Sequence, residues 1–493
     1  MSRLSMWGRP KSKRATRDDF VVRRIDRRPD IVLFLTDEQR HDEVGFASGG
    51  FYETPELDRL AARGVAFETA YSGSTVCVPS RGCLLTGLLH HRLPTQGNGL
   101  ALREGFWTVA RALKAVGYET ALIGKMHFSP MYADHGFDTM KLAEHLVPFS
   151  GYDPGEIDDY HRFLMWQGLA DHSATHFFGP GLERESDAFD ASYFAVPFPY
   201  DKSFHAIGWT AQTAREVIRA RKNGAPLFLV VSFTRPHAPY DPAEPYASMY
   251  DPKDARIPAD GIDANAALPE RVRQALLPDA AQMFNAFPAS SLDEGVYRRV
   301  LTYVRALVRQ IDDAMGEVLR ELDPARTVTF FTSDHGTYGG HRGLLGKVPW
   351  IPFDDLARVP FVCAAPGAMA GRRERAPIQS FDFALTCLDY AGIEPPENTF
   401  DAVSLRPFVQ GYPAPPDRTV LSAASVGWPM ARRGALKLIR IPDKGRLAFD
   451  LDRDPGETKN VADDADYRER VAALGAMLDA SEKRPMPAAL DKA

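Results

Sequence analysis

The chain has 493 residues, 44% of them hydrophobic and 25% charged, with a net charge of −6, the balance of a water-soluble globular protein. The negative charge excludes nucleic acid as the main partner, and the longest apolar runs, Ile31–Leu35 and Pro226–Val231, fall far short of the roughly 20 residues of a membrane span. Length predicts two to three domains, and four cysteines, Cys77, Cys83, Cys363 and Cys387, are too sparse for a disulfide framework.

Residues 1–29 form a basic arm rich in Lys and Arg without an apolar h-region, so no secretory signal is expected and the location expected is cytoplasmic. The arm is read as solvated, with packing on a neighbouring subunit as the alternative. Ile31–Leu35 is the first expected strand and runs into Thr36-Asp37-Glu38-Gln39. Thr54-Pro55 has the form of an N-cap and first turn, and Gly64 that of a helix stop. Residues 77–87 read Cys-Val-Pro-Ser-Arg-Gly-Cys-Leu-Leu-Thr-Gly, a cysteine entering a Pro-Ser-Arg turn before an apolar run, with Arg81 near a helix start. Trp107–Val116 is a helix ending at Gly117, and Thr120–Ile123 is a strand that meets Gly124-Lys125-Met126-His127.

Residues 141–206 are rich in aromatics, Gly and Asp with weak periodicity; they are expected to be an irregular insertion that shapes substrate access. Leu227–Val231 is a strand that runs into Ser232–His237, and Val328–Phe331 one that runs into Thr332-Ser333-Asp334-His335-Gly336. Between them a long amphipathic helix is predicted from about Leu292 to Leu322, with Ser291 as its cap. Beyond about Pro395 the pattern changes to short strands at Val420–Ala424, Leu436–Ile441 and Arg446–Leu451, then a helix from about Asp466 to Ser481.

Apolar runs this continuous suit strands buried on both faces, hence a large, mostly parallel sheet sandwiched by helices over residues 30–395. Residues 396–493 are assigned to a smaller α+β domain. Ligands of such sheets bind at the carboxyl ends of the strands, which places Asp37, Lys125, His237 and Asp334 on one rim. Three carboxylates crowded there (Asp37, Glu38 and Asp334) would each cost several kcal/mol if left unpaired, and a divalent cation relieves that cost. Oxygen ligands favour Ca²⁺, Mg²⁺ or Mn²⁺, and the imidazole of His335 leans toward Mn²⁺. Zinc on Cys77 and Cys83 would lack the usual ligand spacing.

The stretch 77–87 resembles the signature of type I, formylglycine-dependent sulfatases of the alkaline phosphatase superfamily, in which C-x-P-S-R is followed by T-G. Asp37-Glu38, Gly124–His127, Pro236-His237-x-Pro239, Ser333–Gly336, Gly343–Lys347, Asp382–Gly392 and Asp450–Glu457 follow the order of that family from about residue 30 to 465. The resemblance implies that Cys77 is oxidised by a formylglycine-generating enzyme and that the aldehyde hydrate is the nucleophile. It further implies one divalent cation, Ca²⁺ first and Mn²⁺ second, held by Asp37, Glu38, Asp334, His335 and residue 77. Lys125 and Lys347 would bind sulfate, Arg81 would fix the nucleophile, His237 would protonate the leaving oxygen and His127 would deprotonate the nucleophile in the second step. Asn98, on a Gly-Asn-Gly turn, could reach the substrate, although a turn asparagine is its plain reading.

The activity so implied is hydrolysis of small-molecule sulfate monoesters, aryl or alkyl, with some promiscuity toward phosphonate or phosphate esters. Asp-Glu and Asp-His depart from the Asp-Asp and Asp-Asn common in sulfatases. Asp-His occurs among phosphonate monoester hydrolases, the nearest rival, whose counterparts of Lys125 and His127 are typically Tyr and Thr. A non-catalytic sulfate- or glycan-binding relative and a thiol hydrolase using unmodified Cys77 remain alternatives. A homo-oligomer is left open, and the natural substrate is not legible.

Overall fold

The computed structural model describes residues 20–25, 27–144, 156–169, 195–221, 224–259, 265–266, 268–276, 286–288, 293–424, 427–441 and 445–487. Most of the basic arm, much of the 141–206 insertion and the expected Ser291 cap lie outside those residues.

The four runs expected as strands are Asp30–Asp37, Glu119–Gly124, Leu227–Pro236 and Thr327–Ser333, and all belong to one eight-stranded sheet. Its order is Arg372–Glu374, Val65–Phe67, Phe361–Ala364, Thr327–Ser333, Asp30–Asp37, Leu227–Pro236, Glu119–Gly124, Thr139–Leu142. From Thr327–Ser333 to Thr139–Leu142 every neighbour is parallel. Phe361–Ala364 pairs antiparallel on both sides, so the sheet is mixed toward that edge. The central strands are buried along their whole length, as unbroken apolar runs require. One face packs beneath the Val109–Ala115 and Asp382–Ala391 helices, the other beneath Pro55–Arg63, Ala206–Ala220 and Glu294–Leu319.

Helix ends departed from local expectation where tertiary partners were available. Thr54 occupies the N-cap position of Pro55–Arg63 but makes no capping bond; its hydroxyl accepts from the Gly45 amide instead. The cap comes from the long helix, where Asp312 accepts the amides of Glu56 and Leu57, both at 2.9 Å. Gly64 does end the helix, but at φ −135° rather than in the left-handed region. What it supplies is clearance, since a Cβ there would stand 2.3 Å from the Cys363 carbonyl oxygen. The long helix spans Glu294–Leu319, with Asp293 accepting from the Gly295 amide.

The segment expected to be irregular contains regular structure in its described parts. Thr139–Leu142 is the edge strand of the sheet, and Asp159–Trp166 is a helix capped by Asp158. After residue 395 comes a four-stranded antiparallel meander, Thr419–Ala424, Gly427–Arg433, Leu436–Ile441 and Gly445–Asp450, packed on the helix Arg468–Glu482. The strand Gly427–Arg433 escaped sequence reading because Gly427 and Pro429 both disfavour a strand. This sheet is clasped to the helix Asp354–Ala357 by buried Lys437, whose ammonium meets Asp354 at 2.8 Å and Glu457, in the segment after the meander, at 2.7 Å. Among the described residues no helix is long and apolar enough to cross a membrane.

Candidate active site

The helix Cys77–Thr86 follows directly from its sequence. Cys77 is its first residue and Pro79 its third, where a missing N–H costs nothing. Val76, at the N-cap, offers no side-chain acceptor. Asn98 supplies one from the neighbouring turn, its Oδ1 accepting the Val78 amide at 3.3 Å. Ser80 Oγ donates to the Asp334 carbonyl at 2.5 Å, as does Ser72 Oγ, locking the helix to the end of the Thr327–Ser333 strand. The residue at 77 thus stands at the positive end of a buried helix, beside the strand ends that carry Asp37 and Asp334.

Four side chains converge there. The ligand atoms of Asp37, Cys77, Asp334 and His335 all lie within 4.8 Å of one another, and all four residues are buried. Cys77 Sγ is 3.0 Å from His335 Nε2 and 3.9 Å from Asp37 Oδ1. His335 Nδ1 faces the Gly336 carbonyl at 2.8 Å, so Nε2 points into the cluster, the orientation a metal-ligating imidazole takes.

Basic side chains ring these donors. The Arg81 Nε–H donates to Asp334 Oδ2 at 2.9 Å, while its terminal nitrogen donates to the Lys125 carbonyl and Ser232 Oγ. The Lys125 ammonium donates to Asp37 Oδ2. Lys347 Nζ donates to Cys77 Sγ at 3.2 Å and meets Glu38 Oε2 at 2.9 Å. Burial pushes the Cys77 thiol up, but the charges of Lys347 and His335 outweigh it and leave it below its ordinary value. Burial likewise pulls His335 down, yet Asp334 and Cys77 lift it to about 9. Two carboxylates and an imidazole gathered beside residue 77 form a donor set compatible with a divalent cation.

Glu38 stands apart from these four donors. Its backbone takes φ +65° and its amide donates to Asp334 Oδ1 at 3.1 Å. Its carboxylate lies between Lys347 and His237, whose Nε2 is 3.4 Å away. His237 is only partly buried, and its Nδ1 faces the Ala238 carbonyl at 2.7 Å. The loop bearing it is closed by Arg235, which grips Asp241 through two hydrogen bonds of 2.7 and 2.9 Å.

Lys125 and His127 lie on the turn after the Glu119–Gly124 strand, both buried. Gly124 makes that turn possible: its φ is +99°, and a Cβ would stand 1.9 Å from the Ser232 carbonyl oxygen. Cys83 points into the core near Gly73 and Phe381, and burial raises its thiol. It is not among the four clustered donors, so the Cys77–Cys83 pair makes no zinc site.

Sequence reading passed over Ser72, Ser80 and Ser232, which fix Asp334 and Arg81, and Glu144, which accepts the Met126 and His127 amides. Ser80 lies inside the 77–87 motif and could have been singled out there. The others act through contacts that no local spacing announces.

The sulfatase family model matches residues 29–393. The arylsulfatase of Clostridium perfringens (strain 13 / Type A) is 27% identical over 472 residues, covering 92% of this chain and 94% of that protein. The choline-sulfatase of Rhizobium meliloti (strain 1021) is 28% identical over 452 residues, covering 88% and 83%. The phosphonate monoester hydrolase of Agrobacterium radiobacter shares the fold, with a TM-score of 0.74 at 24% identity over 92% of this chain and 95% of that one.

Proposed function

The chain belongs to the sulfatase family, and on that premise we propose that it hydrolyses small-molecule sulfate monoesters, aryl or alkyl, through a formylglycine made from Cys77. The observation that carries this reading is the position of residue 77: its Sγ is 3.0 Å from His335 Nε2 and 3.2 Å from the Lys347 ammonium, at the end of a buried helix. That sulfur stands in for an oxygen of the hydrated aldehyde.

Asp37, Asp334, His335 and residue 77, with Glu38 adjoining, would hold one divalent cation, Ca²⁺ first and Mn²⁺ second, which would acidify the attacking hydroxyl and offset charge on the sulfate oxygens. The protein's own groups do the rest. Three carboxylates (Asp37, Glu38 and Asp334) are matched by Arg81, Lys125 and Lys347. A bound dication therefore leaves the site positive, the sign a sulfate monoester needs. Lys347 donates to the nucleophilic atom, and Lys125, beside Asp37, meets the sulfate oxygens. Arg81 keeps Asp334 oriented. The ring nitrogens of His237 face the Ala238 carbonyl and Glu38, and this histidine would give a proton to the departing alcohol. His127 takes the proton of the release step. Proton transfers of this kind contribute about 10²–10⁴-fold, so preorganised charge must supply most of the acceleration.

Shared nucleophile and cation donors make weaker activity on phosphonate or phosphate esters an expected accompaniment. Lys125 and His127, at a turn where phosphonate monoester hydrolases typically carry Tyr and Thr, favour sulfate as the main substrate. The test is mass analysis of the peptide ending at Arg81, paired with turnover of an aryl sulfate and an aryl phosphonate monoester. Aldehyde at residue 77 with preferred sulfate turnover supports the reading. Full activity with an unmodified thiol overturns the mechanism, and a strong phosphonate preference overturns the substrate class.

A further inference from the structure

The Gly124-Lys125-Met126-His127 turn carries two of the side chains assigned to sulfate chemistry, yet it lies beyond the regular sheet ladder. Lys125 still reaches the neighbouring strand, its amide donating to the Ser232 carbonyl at 2.9 Å. The next two amides have no strand to meet, and His127 sits at φ +68°, a region that costs a non-glycine residue about 1–3 kcal/mol. Both amides are taken by one atom. Glu144 Oε1 accepts from Met126 at 2.7 Å and from His127 at 2.9 Å. Glu144 is buried and follows the edge strand Thr139–Leu142 by two residues. Its own amide donates to Asp158 Oδ2 at 2.6 Å, so the carboxylate is itself anchored. Its second oxygen, Oε2, is buried without a hydrogen-bond partner.

We propose that Glu144 is a positioning residue of the reaction: by gathering two consecutive amides on one oxygen it holds His127 in the left-handed region and sets the direction of Lys125 and His127. The role rests on the sulfatase reading of those two side chains. A single acceptor oxygen is what the geometry demands. Burial lifts the Glu144 carboxyl to about 7, against the His127 amide and the charge of Lys125, so a neutral acceptor can replace it.

The test uses full-length enzyme with the aldehyde content of each preparation measured, so that rates refer to competent molecules. Glu144→Ala is expected to lower kcat on an aryl sulfate by about 10²-fold, the scale of a small misplacement of catalytic groups, and to weaken inhibition by free sulfate. Glu144→Gln, which keeps an acceptor oxygen, is expected to recover most of that loss. A purely structural role would lower Tm and leave kcat per competent molecule unchanged. Should Glu144→Ala fail to fold, Glu144→Asp, one methylene too short to reach both amides, takes its place and is expected to lose kcat relative to Gln. The proposal is overturned if Ala (or Asp in its stead) matches the wild type, or if Gln is no better than Ala. Wild-type enzyme that carries the aldehyde but prefers the phosphonate ester would reject the sulfatase reading alone, and the same series would then be read on that substrate.

Discussion

Lys347 is the side chain on which nucleophile and charge balance meet. Its ammonium lies 3.2 Å from Cys77 Sγ and 2.9 Å from Glu38 Oε2, and the residue is 2% exposed. At those separations one ion pair amounts to roughly 6 kcal/mol of Coulomb energy for an effective dielectric near 20, much of it offset by the cost of drying both groups. Lys347→Ala removes the donor to the nucleophile and strips Glu38 of its closest cation. Loss of one preorganised donor in a water-excluded site costs about 10²–10³ in kcat, and breaking a buried pair destabilises by about 3–5 kcal/mol. His237, 3.4 Å from Glu38 Oε2, remains as a partner, so the lower end of that range, about 3 kcal/mol, is expected. Lys347→Arg should recover part of the stability and little of the rate, because a planar fork cannot replace a compact ammonium here. The assay is kcat and KM on an aryl sulfate at known aldehyde content, with stability from denaturant unfolding. A Lys347→Ala enzyme within tenfold of wild-type kcat would falsify the role given to this residue.

Chelation should abolish turnover and lower Tm, and added Ca²⁺ should restore both; Asp334→Asn should blunt the Tm response to Ca²⁺, and an unchanged Tm after verified metal removal would contradict the cation site. Burial raises the Asp312 carboxyl to about 7, against the pull of the Glu56 and Leu57 amides it accepts. The unfolded chain therefore releases that proton first, and stability falls as pH rises from about 4 through 7. Asp312→Asn should flatten this part of the stability profile, and an identical slope in the variant would refute the assignment. Lys437→Met leaves Asp354 and Glu457 buried without their shared ammonium and should cost about 3–5 kcal/mol; calorimetry showing an unaltered transition would show that the clasp contributes nothing. Asn98→Ala removes the acceptor for the Val78 amide and should destabilise by about 1 kcal/mol, an effect to be read from the denaturation midpoint.

Much of this protein is legible from the order of its residues alone. Unbroken apolar runs declared the central strands, because a strand buried on both faces has no polar side to show. Polar residues at the ends of those runs declared the rim, because a parallel sheet exposes its strand ends together. The motif at 77–87 marked a cysteine beside a helix start, and the structure explains its letters: Pro79 where no amide is needed, Ser80 tied to Asp334, Arg81 spanning Asp334, Lys125 and Ser232. What remained hidden depends on groups far apart in the chain. Asp312 rather than Thr54 caps Pro55–Arg63, Asn98 caps the Cys77 helix, Glu144 holds the Met126 and His127 amides, and Glu38 turns toward Lys347 and His237. Local pattern encodes which face of an element is apolar. A hydrogen-bond acceptor for an orphan amide can come from any segment that the fold brings near, so only the tertiary structure names it.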